Sequence, residues 1–155
     1  MCVYNLSGQI IPFSIEKCVK NICNDQIVKD YIRNNEVAGE IIFECKKLTI
    51  FGTMYKKGHY IILPESTNEH YVFGLIVKLL SCEEYAYFLY KKCVPTYCPK
   101  TDLFFINEQQ QKLQKIDIIC SHHLPDYRPL ESYKVGQQQH VSLSMRNNIL
   151  QLYPE

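Results

Sequence analysis

Four residues in the second half of the chain have the chemistry of zinc ligands. Cys93 and Cys98 are close in sequence, and Cys120 is followed closely by His122. Three thiolates and one imidazole are enough to complete a tetrahedral zinc site. The intervals differ from those of zinc fingers and ribbons, and Pro95 lies between the first two cysteines. We therefore expect free thiols and no cofactor, with zinc at these four residues as the alternative.

A cysteine nucleophile is the other chemistry that these residue types allow. It would need an imidazole nearby to act as its base, and the chain contains five histidines. The sequence shows no local motif of a cysteine hydrolase, no phosphate-binding glycine loop, no nucleophile elbow and no pair of carboxylates spaced for catalysis. We therefore predict that the chain is not an enzyme.

Aromatic residues are abundant enough to predict a binding surface. The chain has 12 tyrosines and 7 phenylalanines but no tryptophan. Such rings can line a groove for a peptide or a cage for a methylated cation, although the same rings also serve as core. In an extended run, Tyr85 and Tyr87 share one face while Tyr90 lies on the other, so we expect one packed and one available face. The candidate groove residues are Tyr55, Tyr60, Tyr71, Tyr85, Tyr87 and Tyr90.

Paired lysines predict a second kind of binding. They lie near the ends of predicted strands and beside aromatic residues, an arrangement that could contact the backbone and bases of single-stranded nucleic acid. Lysines at strand ends also keep sheet edges soluble, which is the alternative interpretation. The pairs are Lys46 and Lys47, Lys56 and Lys57, and Lys91 and Lys92.

A helix is the first element that the apolar pattern predicts. Ile15, Cys18 and Ile22 fall at the spacing of one helical face, and a similar stripe resumes a few residues later. Asp25, or the asparagine before it, can cap this second part, so the helix can be broken in two. We predict a helical segment over residues 14–34.

From residue 37 onward the pattern changes to short runs rich in β-branched and aromatic residues, separated by turns. Residues 71–80 and 85–90 predict a central hairpin, and Gly74 within it indicates a bulge or bend. Further strands are predicted at residues 103–106, 116–120 and 141–145. Since no helical crossover separates these strands, we predict a mainly β fold with a small antiparallel curled sheet or barrel over residues 37–150. The whole chain, residues 1–155, is predicted to be a single domain.

Three segments resemble, in chain order, the motifs of BAH-like chromatin modules. In residues 51–63, Tyr55, Gly58 and the residues after them resemble a Tyr-x-x-Gly-Asp-x-Val signature, with His59 in place of the acid. Residues 73–80 resemble the next strand of that family, and residues 124–130 resemble a late Leu-x-Asp-x-Arg-Pro-Leu segment.

BAH-like modules are SH3-like barrels with extensions. The resemblance implies this fold and the binding of chromatin proteins or histone tails. The same series of segments, ending near residue 149, also resembles the C-terminal region of uncharacterised proteins derived from transposable elements.

The composition limits the classes of partner. With 17 basic and 16 acidic residues, the net charge of +1 provides no overall field that would attract nucleic acid or an anionic membrane. No signal peptide is recognisable, so we expect an intracellular and, with a chromatin partner, nuclear protein. We predict a non-catalytic interaction module, a chromatin-associated protein-binding domain of mobile-element origin, with a nucleic-acid-binding domain as the alternative.

Overall fold

The computed structural model describes residues 2–4, 10–12, 15–35, 41–82, 85–107, 115–126, 128–136 and 138–143. In chain order, its strands are β1 (Cys2–Tyr4), β2 (Ile10–Pro12), β3 (Ile15–Ile22), β4 (Phe43–Ile50), β5 (Thr53–Lys56), β6 (Tyr60–Ile62), β7 (Phe73–Cys82), β8 (Tyr85–Cys93), β9 (Thr96–Cys98), β10 (Leu103–Asn107), β11 (Ile116–Cys120), β12 (Ser132–Val135) and β13 (Gln138–Val141). Helix α1 (Gln26–Asn35) lies between β3 and β4, and a short 3-10 turn (Ser121–His123) follows β11. The predicted mainly β fold is confirmed.

The largest sheet is antiparallel and has the strand order β11-β8-β7-β4-β3. One edge of β4 pairs first with β7, through residues 43–45, and then with β5, through residues 47–50. One edge of β7 likewise pairs with β6 and then with β4. The strands β4 and β7 therefore splay apart, and the sheet curls. Among the strands that the structure describes, β3 and β11 do not pair with each other, so the curled sheet does not close into a barrel.

A smaller antiparallel sheet, with the order β12-β13-β10-β9, packs against one end of the large sheet. Its Phe104 and Val141 share an apolar cluster with Tyr60 and Phe73 of the large sheet. Tyr60 also exchanges two backbone hydrogen bonds with Leu130, of 2.8 and 2.7 Å. The strands β1 and β2 form a third, two-stranded sheet.

The central hairpin is confirmed as β7 and β8, which pair along their length. Leu79 and Phe88 contribute to an apolar cluster on one face. Leu80 and Tyr87 contribute to a second cluster, on the other face, which also contains Val28 of α1. Burial on both faces explains why these strands are almost continuously apolar, since an alternating pattern arises only where one face is solvated.

The helix prediction over residues 14–34 is wrong in its first half. Residues 15–22 form β3, which pairs with β4, and its Val19 and Ile22 are exposed rather than packed. The strand β3 lies at the edge of the sheet and is almost wholly exposed, so the helix-like spacing of its apolar residues does not mark a buried face. The second half is confirmed, because Asp25 accepts hydrogen bonds from the backbone N–H groups of Ile27 and Val28 at the start of α1.

The predicted boundary of the last strand is also wrong. The strand β13 ends at Val141, and Leu143 lies beyond it. Residues 144–145 lie outside the described residues, as do residues 146–149, where the series that resembles transposon-derived proteins ends.

Candidate functional site

A cavity of about 540 Å³ lies between the loop that precedes β7 and the β9–β10 hairpin. Three aromatic rings line it, from Tyr71, Tyr97 and Phe104, together with the carboxylates of Glu69 and Asp102. Its remaining lining residues are Asn68 and Leu143. We call this cavity the Tyr71 groove.

The loop that forms one wall of the groove is fixed by its own hydrogen bonds. Ser66 Oγ bonds both the N–H and the carbonyl oxygen of Val72, each at 2.9 Å. Thr67 and His70 exchange backbone hydrogen bonds, and Thr67 Oγ1 accepts a further bond from the N–H of His70. The side chain of Tyr71, which directly follows this loop, is therefore presented from an ordered backbone.

The three rings contact one another around Phe104. Its ring centroid lies 5.4 Å from that of Tyr71, nearly perpendicular to it, and 5.0 Å from that of Tyr97. Phe104 is buried, Tyr71 is partly exposed, and Tyr97 is 48% exposed. The groove therefore has an aromatic floor and one aromatic side that is open to solvent.

Asp102 holds its carboxylate at this aromatic surface. The Tyr97 hydroxyl donates a hydrogen bond of 2.7 Å to Asp102 Oδ1, and this bond raises the pKa of Tyr97. Asp102 has a φ of 53°, a left-handed conformation that Asp adopts more readily than most residues. Because the hydroxyl fixes one carboxylate oxygen, the second is available to a ligand.

A second cavity, of about 370 Å³, adjoins the Tyr71 groove and shares Asn68, Tyr71 and Leu143 with it. It is more polar, with Ser66 and Asp126 among its lining residues. Among the described residues that line them, the two cavities offer aromatic rings and carboxylates but no lysine or arginine.

The six predicted groove tyrosines are divided between core and surface. Tyr71 lines the groove, and Tyr85 is partly exposed, beside the ring of His122 at 5.4 Å. The other four are buried: Tyr55, Tyr60, Tyr87 and Tyr90. The expectation that one face of β8 remains available is wrong, because two apolar clusters cover both faces.

Tyr97 and Phe104 were missed by the sequence reasoning. They face each other as partners in the pairing of β9 with β10, and this pairing joins two segments that the sequence did not show to be neighbours. A signal was present in the turn between the strands, because Asp102 lies where a hairpin needs a residue that tolerates a positive φ.

The predicted lysine pairs do not form one patch. Lys47 and Lys56 are direct partners across β4 and β5 and are exposed, with Lys46 and Lys57 beside them in sequence. The third pair lies on β8, where Lys91 is partly exposed and Lys92 Nζ lies 3.3 Å from Glu65 Oε2. The structure thus brings two of the three pairs together, at the β4–β5 hairpin.

The four candidate zinc ligands are not brought together. Cys120 pairs with Tyr87 near one end of β8, whereas Cys93 ends the same strand, roughly 20 Å away at about 3.3 Å per residue. Thiolates that share one zinc must each lie about 2.3 Å from it. In the part of the chain that the structure describes, no three histidine, cysteine or acidic side chains cluster as a metal site would require.

Cys98 is separate from the other candidate thiols, at the end of β9. A hydrogen bond from the side chain of Thr101, aided by the backbone N–H groups of the turn, lowers the pKa of the Cys98 thiol. Burial has the opposite effect on Cys45, whose pKa it raises. Cys98 is therefore the described thiol whose surroundings favour the thiolate.

Comparison with protein-family models, curated proteins and solved structures finds no match to this chain. Among the described residues, the helix is too short to cross a membrane. The function is therefore inferred from the chain's own side chains, and the resemblance to BAH-like modules stays a prediction.

Proposed function

We propose that this chain is a non-catalytic interaction module that binds a cationic side chain of a peptide partner in the Tyr71 groove. The observation that carries the proposal is the convergence of three aromatic rings and two carboxylates on one cavity. The electron-rich faces of aromatic rings attract a cation, and a carboxylate supplies the opposing charge. The described residues that line the groove include no lysine or arginine that could bind an anion.

The groove also has a suitable size. Its volume of about 540 Å³ falls within the range of about 300–1,000 Å³ that is usual for ligand pockets. A lysine or arginine side chain can lay its apolar stem against Phe104 while its charged end meets Asp102 and Glu69. The exposed ring of Tyr97 then covers the cation from the solvent side.

A basic peptide is also what the sequence resemblance implies. Histone tails are rich in lysine and arginine, and alkylated lysines are bound by rings of aromatic residues. The groove supports a chromatin-associated role because it suits the lysine or arginine side chain of such a tail. A mobile-element origin has no counterpart in the geometry and stays a prediction.

NMR titration of the isotope-labelled protein tests the proposal. The probes are four flexible glycine-serine peptides that differ only in one central residue, which is lysine, trimethyl-lysine, arginine or the neutral norleucine. We expect a cationic peptide to shift the resonances of residues 68–71 and 97–104, and norleucine to leave them unchanged. Equal shifts with norleucine, or no shift with any of the cations, would overturn the proposal.

Two variants identify the groove as the site. Tyr97→Leu and Asp102→Asn should each weaken binding of the cationic peptide by about 1 kcal/mol, roughly fivefold in affinity. Tyr133→Leu is the matched control, since this tyrosine is similarly exposed but lies on β12, stacked on His140. Binding that is equally weakened in the control would place the peptide elsewhere.

A further inference from the structure

The β4–β5 hairpin has a strained aromatic residue at its tip. Its two-residue loop consists of Phe51, with a φ of 50°, and Gly52, with a φ of 80°. Such loops favour asparagine or aspartate followed by glycine, because a bulky residue with positive φ is sterically disfavoured. Phe51 is 43% exposed, so part of this aromatic residue is accessible to solvent.

The same hairpin carries a second unfavourable feature. Lys47 and Lys56 are direct cross-strand partners on its outer face, and both are exposed. Like charges that face each other across two strands repel and destabilise the pair. Met54 and Thr49, the next pair on this face, lie between the lysines and the tip. The outer face therefore presents a cation pair followed by an exposed apolar tip.

The charges around this face favour an anionic partner. Lys46 and Lys57 are exposed at the base of the hairpin, next to the cross-strand pair. On the neighbouring strand β3, Glu16 is the partner of Thr49 and places one acid on this face. The lysines outnumber it, and their mutual repulsion falls when an anion lies between them.

We propose that the β4–β5 hairpin binds single-stranded nucleic acid, with Phe51 stacking on a base and Lys47 and Lys56 contacting phosphates. Both unfavourable features of the hairpin become favourable in this complex. A partly exposed aromatic ring can stack on any base, and paired ammonium groups match the spaced charges of a strand. The site is separate from the Tyr71 groove and does not depend on what the groove binds.

A membrane surface fits the hairpin less well. Insertion into the boundary between headgroups and acyl chains needs a sizeable apolar face. Phe51 and Met54 are the exposed apolar side chains of this hairpin, Thr53 lies between them in sequence, and Thr49 is the cross-strand partner of Met54. A single ring with two cations is the arrangement expected for a nucleic-acid strand.

Fluorescence anisotropy with a labelled oligothymidylate of about 12 nucleotides, a length suited to such a site, tests the proposal at several salt concentrations. In Lys47→Ser/Lys56→Ser we expect weaker binding. The slope of log affinity against log salt should fall by about 1.4, because each phosphate contact contributes about 0.7 for a single strand. In Phe51→Gly we expect affinity to fall about tenfold with an unchanged salt slope, because only stacking is lost.

The variants are chosen so that misfolding cannot imitate the result. Phe51→Gly removes the strain at positive φ, and Lys47→Ser/Lys56→Ser removes the repulsion, so neither should lower the urea midpoint of unfolding. Lys78→Ser/Lys115→Ser removes the same charge from other exposed positions and should retain the wild-type salt slope.

Three outcomes would overturn the proposal. The first is an unmodified protein that does not bind the oligonucleotide, and the second is a charge-matched control that loses as much affinity as Lys47→Ser/Lys56→Ser. The third is binding to phosphatidylserine vesicles that requires Phe51 while the oligonucleotide is not bound, which would assign the hairpin to a membrane surface.

Discussion

His59 joins the β5–β6 turn to the segment before β12. Its Nδ1 accepts a hydrogen bond of 3.2 Å from the backbone N–H of Lys56, and its Nε2 lies 3.9 Å from Glu131 Oε1. The side chain is only 14% exposed. Burial lowers the pKa of His59, an effect that Glu131 opposes and Lys56 reinforces. The bond from Lys56 requires an unprotonated Nδ1, so the folded protein favours the neutral imidazole.

This preference predicts a dependence of stability on pH. The unfolded state, where a histidine has a pKa of about 6.5, binds the proton more tightly than the folded state. The stabilising contribution of His59 to folding is therefore complete at a pH above the unfolded pKa. It is lost as the pH falls through the lower pKa that His59 has in the folded protein. In His59→Asn, whose amide oxygen can accept the same hydrogen bond without titrating, we expect the free energy of unfolding to change less between about pH 7 and 5.

Urea denaturation across this pH range measures the effect. His70→Asn is the control, because His70 is exposed in the loop before β7, and it should keep the wild-type pH dependence. An unchanged pH dependence in His59→Asn would show that His59 does not carry it.

Close packing at the centre of the large sheet depends on Gly74 in strand β7. A Cβ added there would lie 2.9 Å from Tyr90 Cδ2 and 3.1 Å from Leu63 Cδ2, so the glycine makes room for its neighbours. The sequence predicted a bulge or bend at this glycine, and the register shift of this pair lies further along, between Ile76 and Lys78. Gly74 allows neighbouring side chains to approach the backbone of β7 closely, and this requirement arises only in the assembled sheet.

Gly74→Ala should therefore destabilise the protein by about 1–3 kcal/mol, the usual cost of overpacking a core. The cost should fall in the Tyr90→Leu background, because the nearest ring atom is then absent. Urea unfolding of the two single variants and the double variant gives the coupling energy. Additive effects would contradict the close contact.

The whole molecule is organised around the β7–β8 hairpin. Each of the three apolar clusters described above includes residues of this hairpin. One cluster lies on one face of the hairpin, the second lies on the other face beneath α1, and the third lies at the end that meets the small sheet. Loss of the hairpin would therefore expose all three clusters at once. Such shared burial is the physical basis of cooperative unfolding.

We accordingly expect a single unfolding transition. Far-UV circular dichroism, tyrosine fluorescence and alkylation of the buried thiols Cys23 and Cys120 should give the same urea midpoint. An earlier transition in alkylation alone would show that α1 detaches before the sheet unfolds, which would contradict a shared core.

Acidic and basic side chains lie at different places on the molecule. The Tyr71 groove presents Glu69 and Asp102, while the β4–β5 hairpin presents Lys47 and Lys56. These two pairs of charges cancel each other, and the net charge of the whole chain is +1. A total near zero is therefore compatible with one site for cations and another for anions, each acting over about 10 Å at ordinary salt.

The sequence by itself determined the local features of the fold. Asp25 caps α1 as expected, and the central hairpin consists of the two predicted strands. These features depend on residues that are neighbours in the chain. Their propensities and hydrogen bonds act over a few positions, so a short window of sequence contains the necessary information.

Only the tertiary structure decided which side chains reach the surface. Residues 15–22 became a strand because β4 offers a pairing edge, and Tyr87 and Tyr90 became core because clusters cover both faces of β8. The groove joins Tyr71 to Tyr97 through contacts between a loop and a separate hairpin. Strand pairing and burial depend on contacts between residues that are far apart in the chain. The alternation of apolar and polar residues along one strand does not reveal which elements will cover that strand.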